Sequence, residues 1–350
     1  MLLQKLEQKE LIDPPRWLVS NTHYLAVMGS MAYGVSSNNS DLDLYGVCIP
    51  LRHMVFPHET GWIEGFGQRP DKFDVWQKHH VFDQQANGGK GVSYDFQIFN
   101  IVKFFQLAME NNPNVIDSLF VRRESILHIT ETFELVRQNR KYFLHKGIAH
   151  KLRGYSYSQL NKAKNCTEYV KKIREYEDAY GIPHSTTYNE TSSTGFMEKY
   201  SWNVRSRYDE LWSEGMTKTS RFENQKILGW DAKFLYHVYR LASQAEYILN
   251  YHDLDLQEQG RKEKMKAIRR GDVSFEEIQR EFTEQEERIN RLYETSSLRK
   301  FPDEKFIKQL LLTCLESHYG SIDKAYAQST NGKYVDAIGE INQVLNKYGL

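Results

Sequence analysis

The sequence predicts two domains in series, an α/β domain over residues 1–125 and an all-helical domain over residues 126–350. Three observations predict it. The chain, at 350 residues and 41.3 kDa, exceeds what one hydrophobic core usually serves. Strand and helix signals are interleaved as far as residue 125. Beyond that point strand signals fade and long amphipathic patterns take over.

In the first part, residues 24–28 form a short apolar run ending at Gly29, which predicts a buried strand. A turn-rich stretch at 36–40 follows, and residues 41–49 then alternate polar and apolar until Pro50, a second strand. Residues 60–92 are polar, charged and rich in glycine, with a strand expected at 73–82 and a turn at the tip, 87–91. A further strand is expected at 92–96. Ile101, Val102, Phe104, Phe105 and Ala108 then recur at helical spacing over 98–109, a helix that Asn111, Asn112 and Pro113 stop. In the second part, helices are expected at 130–145, 155–179, 226–251, 274–294 and 303–318, and the charged tract 258–291 reads as a solvated helix. Residues 181–220 hold Gly, Ser, Thr, Asn and scattered aromatics without a period, which predicts a long loop or lid.

Composition narrows the function classes. Hydrophobic residues make up 40% and charged residues 26% of the chain, with a mean hydropathy of −0.65, values of an ordinary globular protein without a membrane-spanning segment. Lys5 and Lys9 are followed by no apolar stretch of the kind a secretory leader needs, so a cytoplasmic location is expected. Cys48, Cys166 and Cys314 lie far apart with no CxxC pair and read as reduced, buried thiols. Lys plus Arg equals Asp plus Glu at 46 each, so a site for a polyanion must be local.

The informative string is Gly29-Ser30, a spacer, then Asp41-Leu42-Asp43 at the start of a strand. A strand ending in Gly-Ser lets the backbone approach a ligand, and the residues after it should open a helix whose free N–H groups attract phosphate, with the Ser30 hydroxyl adding to the grip. Asp41 and Asp43, at i and i+2 of a strand, project from one face while Leu42 and Leu44 turn to the core. Two carboxylates that close repel unless a divalent cation, Mg²⁺ or Mn²⁺, sits between them. Two-ion phosphoryl-type transfer usually needs a third carboxylate. Asp95, a polar interruption of an apolar strand just before a helix, is the best candidate, with Asp74 and Asp83 as rivals.

The Gly-Ser, spacer, Asp-x-Asp pattern resembles the DNA polymerase β nucleotidyltransferase superfamily, and the interval of 11 residues from Ser30 to Asp41 fits it. Three further stretches resemble, more narrowly, the predicted nucleotidyltransferases of bacteria and their phages to which no substrate is assigned. They are Phe104 to Asn114, the segment Gly154-Tyr155-Ser156-Tyr157-Ser158-Gln159, and Lys233 to Leu241 with His237 and Arg240. The resemblance spans most of residues 20–320. It implies an α/β (α+β) nucleotidyltransferase core with a mixed sheet and an all-helical C-terminal domain that selects the acceptor. It further implies that Gly29 and Ser30 meet the nucleotide phosphates, and that Asp41 and Asp43, with Asp95, are metal ligands. Transfer of a nucleoside monophosphate from an NTP such as ATP to a hydroxyl, with release of pyrophosphate, is the expected activity. An RNA end, a protein or a small molecule is the acceptor. The rival reading is an inactive nucleotide- or nucleic-acid-binding protein of the antitoxin kind, against which the retained carboxylates speak. A ribonuclease in the helical domain ranks last, for want of a tightly spaced Arg and His pair.

Two weaker patterns complete the set. Lys233, His237, Arg240 and Gln244 form a polar stripe at helical spacing opposite Phe234, Leu235, Val238, Leu241, Ala245 and Ile248. As three potential cations, Lys233, His237 and Arg240 suit nucleotide or acceptor phosphate. Tyr155, Gln159 and Lys162 share a helix face that is as well read as solvated surface. His79 and His80 are expected to face opposite ways from a strand, which disfavours a joint site. Aromatics at 188–212 are expected to serve packing rather than base stacking.

Overall fold

In the computed structural model the described residues are 1–36, 41–69, 71–214 and 220–320. Most of the turn expected at 36–40 lies outside them. The described residues divide into two compact units: residues 1–145 together with 299–320, and Lys146–Leu298.

The first unit is built on a five-stranded sheet of order β3-β4-β2-β1-β5, comprising β1 (Thr22–Val27), β2 (Leu42–Cys48), β3 (Val75–Asp83), β4 (Val92–Asn100) and β5 (Ile126–Ile129). β2 and β4 run parallel and every other pair antiparallel, so the sheet is mixed. One face carries Leu25, Val27, Leu44, Phe96 and Ile98, which pack with Leu3 and Leu6 of α1 (Leu2–Gln8) and with Ile12, Leu18 and Val19. This is the apolar half of the period-two alternation in β2.

On the other face Tyr24 stacks on Phe133, ring centroids 4.4 Å apart, and donates its hydroxyl to Ser118 O at 2.6 Å. Helix α2 is the single turn Gly29–Ala32. α3 (Ile101–Met109) starts where the Asn100 side chain accepts from Val102 N at 2.9 Å, and α4 (Pro113–Phe120) starts with Pro113 behind an Asn112 cap. The Asn-Pro pair thus separates two helices rather than ending helical structure. α5 (Glu131–Gln138) follows β5.

The expected boundary at 125/126 is placed differently. β5 pairs with β1, and the C-terminal helix Glu304–Tyr319, expected in the second domain, packs within the first unit. There Phe306 stacks on Tyr142 at 3.9 Å, and Tyr319 donates to Pro50 O at 2.6 Å. An amphipathic pattern reports that a helix has an apolar face; it does not say which core that face joins.

The second unit is helical. α6 (Gly147–Tyr180), α7 (Trp202–Glu214), α8 (Ser220–Leu228), α9 (Ala232–Tyr251), α10 (Gln259–Arg270) and α11 (Phe275–Thr295) make up most of it, with α9 packed on α6, α10 and α11. The loop or lid expected at 181–220 is instead largely helical: a short helix at Thr194–Lys199 precedes α7, while residues 215–219 lie outside the described set. Phe196, Tyr200, Tyr208 and Trp212 are buried in one cluster with Val170, Ile173 and Phe222, so these aromatics pack. Elements buried on several sides lose the one-sided period by which helices are recognised. Within the cluster Lys226 and Glu177 are fully buried partners, and Lys226 Nζ reaches Thr186 O at 2.6 Å. Burial lowers the lysine's pKa and its bond to Glu177 works against that shift. No helix among the described residues is long and apolar enough to cross a membrane.

Candidate active site

Strand β1 delivers the chain to Gly29, and Met28 N donates to Asp43 O at 2.7 Å, which holds the end of β1 against the start of β2. Gly29 has φ +61°, the left-handed region. A β-carbon there would lie 2.9 Å from Asp43 Cγ and would overlap Asp43 Oδ2. Glycine is therefore required twice, by backbone conformation and by the carboxylate in contact with it. The Gly-Ser segment and the Asp-x-Asp segment, separated in sequence, meet at this point. Ser30 follows in the single turn of α2, which is stabilised by Val35 N donating to Ser30 O at 2.9 Å. So short a helix adds little dipole, and any grip on phosphate rests on local amides and the hydroxyl.

Asp41 is exposed just before β2, Asp43 is half-buried, and Leu44 between them and the core is fully buried. In the parallel ladder Asp43 stands directly opposite Asp95 of β4. Register partners on adjacent strands share a face and lie roughly 5 Å apart, so the two carboxylates are neighbours without being neighbours in sequence. The rivals are elsewhere. Asp83, at the end of β3, is tied to Lys9 at 2.7 Å and accepts from Gln85 N, and the Lys9 bond holds its pKa below the ordinary carboxylate value. Asp74 pairs with Lys72 at 2.8 Å, and its carbonyl accepts from Asn100 N, five residues along β4 from Asp95, a separation of roughly 16 Å.

Asp95 has further company. His80 N donates to Asp95 Oδ1 at 2.7 Å, and the Nδ1 atoms of His79 and His80 lie 3.7 and 4.0 Å from the same oxygen. The expectation that these histidines face apart is overturned by a register shift between Lys78 and Val81, which breaks the alternation that the expectation assumed. Adjacent histidines in a strand were the available signal; the shift itself is set by pairing and leaves no mark in sequence.

Asp43 and Asp95 offer carboxylate oxygens, the hard donors preferred by Mg²⁺ and Mn²⁺. Among the described residues no three His, Cys, Asp or Glu side chains are grouped closely enough to enclose an ion by themselves. Mg²⁺ seldom uses such a cage; it takes one or two carboxylates, with water and substrate phosphates completing its shell. Asp43 and Asp95, opposite one another in the ladder, fit that mode; Asp41 is not grouped with them closely enough to form a three-carboxylate cage.

The stripe on α9 belongs to the second unit. Lys233 is exposed, but Arg240 and Gln244 are buried along with Leu235, Val238, Leu241 and Ala245, so α9 has no broad solvated face. Burial, then the charges of Arg240 and Lys233, push the His237 pKa down to about 2. His237 is therefore neutral in the physiological range, and the expected three cations are two. Tyr155 and Lys162 of α6 are exposed and read as solvated surface.

Comparison with protein families matches residues 3–303 to RlaP, described as the RNA repair pathway DNA polymerase beta family. A comparison with curated proteins gives no match. Among solved structures the chain is similar to a nucleotidyltransferase-like protein from Exiguobacterium sibiricum, at 8% identity, covering 99% of this chain and 90% of that one, with a TM-score of 0.25. At that score neither chain informs the other. The family match covers most of the sequence, and the chain belongs to the RNA repair pathway DNA polymerase beta family.

Proposed function

From membership of that family, we propose that the chain transfers a nucleoside monophosphate from an NTP, ATP foremost, to a hydroxyl at an RNA end, releasing pyrophosphate. The observation that carries this reading is the contact of Gly29 with Asp43, together with Asp95 opposite Asp43 in the ladder. It joins a backbone that can approach phosphate to a pair of carboxylates within one small site. The family's description, which names an RNA repair pathway, supports choosing RNA as the acceptor.

In this reading Gly29 lets the backbone approach the triphosphate, and the Ser30 hydroxyl with neighbouring amides binds it. Asp43 and Asp95 would hold Mg²⁺ or Mn²⁺, with water and substrate phosphates completing the shell and Asp41 able to join only once substrate is bound. Such an ion, when bound, neutralises triphosphate charge and eases deprotonation of the acceptor hydroxyl. Asp95, with one oxygen taken by the His80 amide, keeps its second oxygen for the ion or for the hydroxyl proton. The hydroxyl oxygen attacks the α-phosphorus, the bond to the β-phosphate breaks, and pyrophosphate leaves with inversion. The proposed centre lies entirely within the first unit.

The test is incubation of the protein and Mg²⁺ with NTPs labelled at the α-phosphate and RNA bearing free or blocked terminal hydroxyls. Label should join RNA only where a hydroxyl is free, with one pyrophosphate released per nucleotide. Label found instead on protein or on a small molecule would replace the RNA acceptor. No transfer to any acceptor, with NTP still bound, would favour the inactive binding protein.

A further inference from the structure

β3 pairs with β4 from Val75 opposite Phe99 to Lys78 opposite Phe96, and resumes with Val81 opposite Tyr94. His79 and His80 therefore stand against the single residue Asp95, two against one, which is a β-bulge. His80 takes φ +56°, where non-glycine residues are uncommon and histidine among the more tolerant. That turn of the backbone directs the His80 amide to Asp95 Oδ1 at 2.7 Å. Packing does not explain it. β3 is an edge strand, and the His79 and His80 side chains are 58% and 85% exposed, so neither ring fills a gap in a core. Bulges recur beside active sites, and this one brings a backbone amide onto the carboxylate that stands opposite Asp43.

We infer that the His79–His80 bulge is the positioning device of the proposed centre: the His80 amide pins one oxygen of Asp95 so that the carboxylate is held ready beside Asp43. This rests on the transfer reading above. His80 is a positioning residue acting through its backbone. Outer contacts of this kind set the orientation of metal-binding carboxylates, and their loss typically costs 10- to 100-fold in metal affinity or activity.

Three measurements on the full chain test it. His80→Gly keeps the amide and favours positive φ, so kcat and Mn²⁺ affinity should stay within about twofold of the natural protein. Deleting His80 returns β3 to regular pairing and removes the amide. Mn²⁺ affinity and kcat should then fall roughly 10- to 100-fold, while Tm holds or rises, since the ladder is repaired. In the natural strand the His80 amide should be protected from hydrogen exchange and should lose protection in Asp95→Ala but not in Asp74→Ala. A deletion variant with natural Mn²⁺ affinity and kcat, or exchange indifferent to Asp95, would overturn the inference. Should the deletion lower Tm sharply, the exchange comparison decides, because it leaves β3 untouched. If the natural protein transfers no nucleotide, that failure belongs to the transfer reading, and exchange with Mn²⁺ affinity still judges the bulge.

Discussion

The start of the central strand β2 around Asp43 and the helix α9 both present polar residues at a regular interval, yet the fold uses them differently. At β2 the two-residue interval survives folding intact: Leu44 is buried, Asp43 remains accessible, and Asp95 arrives opposite it. On α9 the helical interval is also real, but Arg240 and Gln244 end up buried with the apolar residues. A strand in a sheet has two faces and its alternation divides them. A helix packed on several sides can enclose its polar stripe, and the spacing alone does not disclose it.

Substitutions can break or sharpen this contrast. The largest effect is expected at the sheet. Asp43→Asn should reduce the rate of nucleotide transfer about a thousandfold, on the order of 4 kcal/mol of transition-state stabilisation, with little change in Tm. Gly29→Ala comes next, at about a hundredfold, because its β-carbon must displace the Asp43 carboxylate and its φ is unfavourable. Steady-state kinetics on both variants, with thermal melts as control, measures the order.

On α9 the signature should invert. Arg240→Ala should lower stability by about 2 kcal/mol, as expected for removing a buried, partnered charge, whereas exposed Lys233→Ala should shift it by less than about 0.5 kcal/mol. Denaturant unfolding distinguishes them, and an Arg240→Ala variant of natural stability with impaired nucleotide binding would return the stripe to the site. A further effect is in pH. His237 has its pKa pushed down to about 2 and His23 to about 4, both chiefly by burial, from an ordinary 6.5. The folded chain thus refuses protons that the unfolded chain accepts. Their contribution to stability is complete above pH 6.5 and declines as pH falls below it. Melts from pH 7.5 to 5 should show a falling Tm, with a shallower slope in His237→Gln.

What was legible in the sequence follows the same physics. That Gly29 and Asp43 fall near one another is suggested by local signals, a glycine at the end of one strand and a polar residue alternating with Leu42 and Leu44 at the start of the next. Choosing Asp95 over Asp74 and Asp83 required knowledge of strand register, which belongs to pairing between distant segments. The bulge at His79 and His80 was hidden for the same reason. The period over 303–318 predicts the helix Glu304–Tyr319 but not the core it joins, since its apolar face fits either unit. The loop or lid expected at 181–220 is helical over much of its described part; Phe196, Tyr208 and Trp212 there are buried from several directions, which erases periodicity.

The most direct test of the central claim is the binding of Mn²⁺, followed by electron paramagnetic resonance, in the presence of a non-hydrolysable NTP. The natural protein and Asp74→Asn should bind the ion alike, while Asp43→Asn and Asp95→Asn should each weaken it at least tenfold. Equal binding by all four proteins would contradict the assignment of Asp43 and Asp95 to the transfer centre.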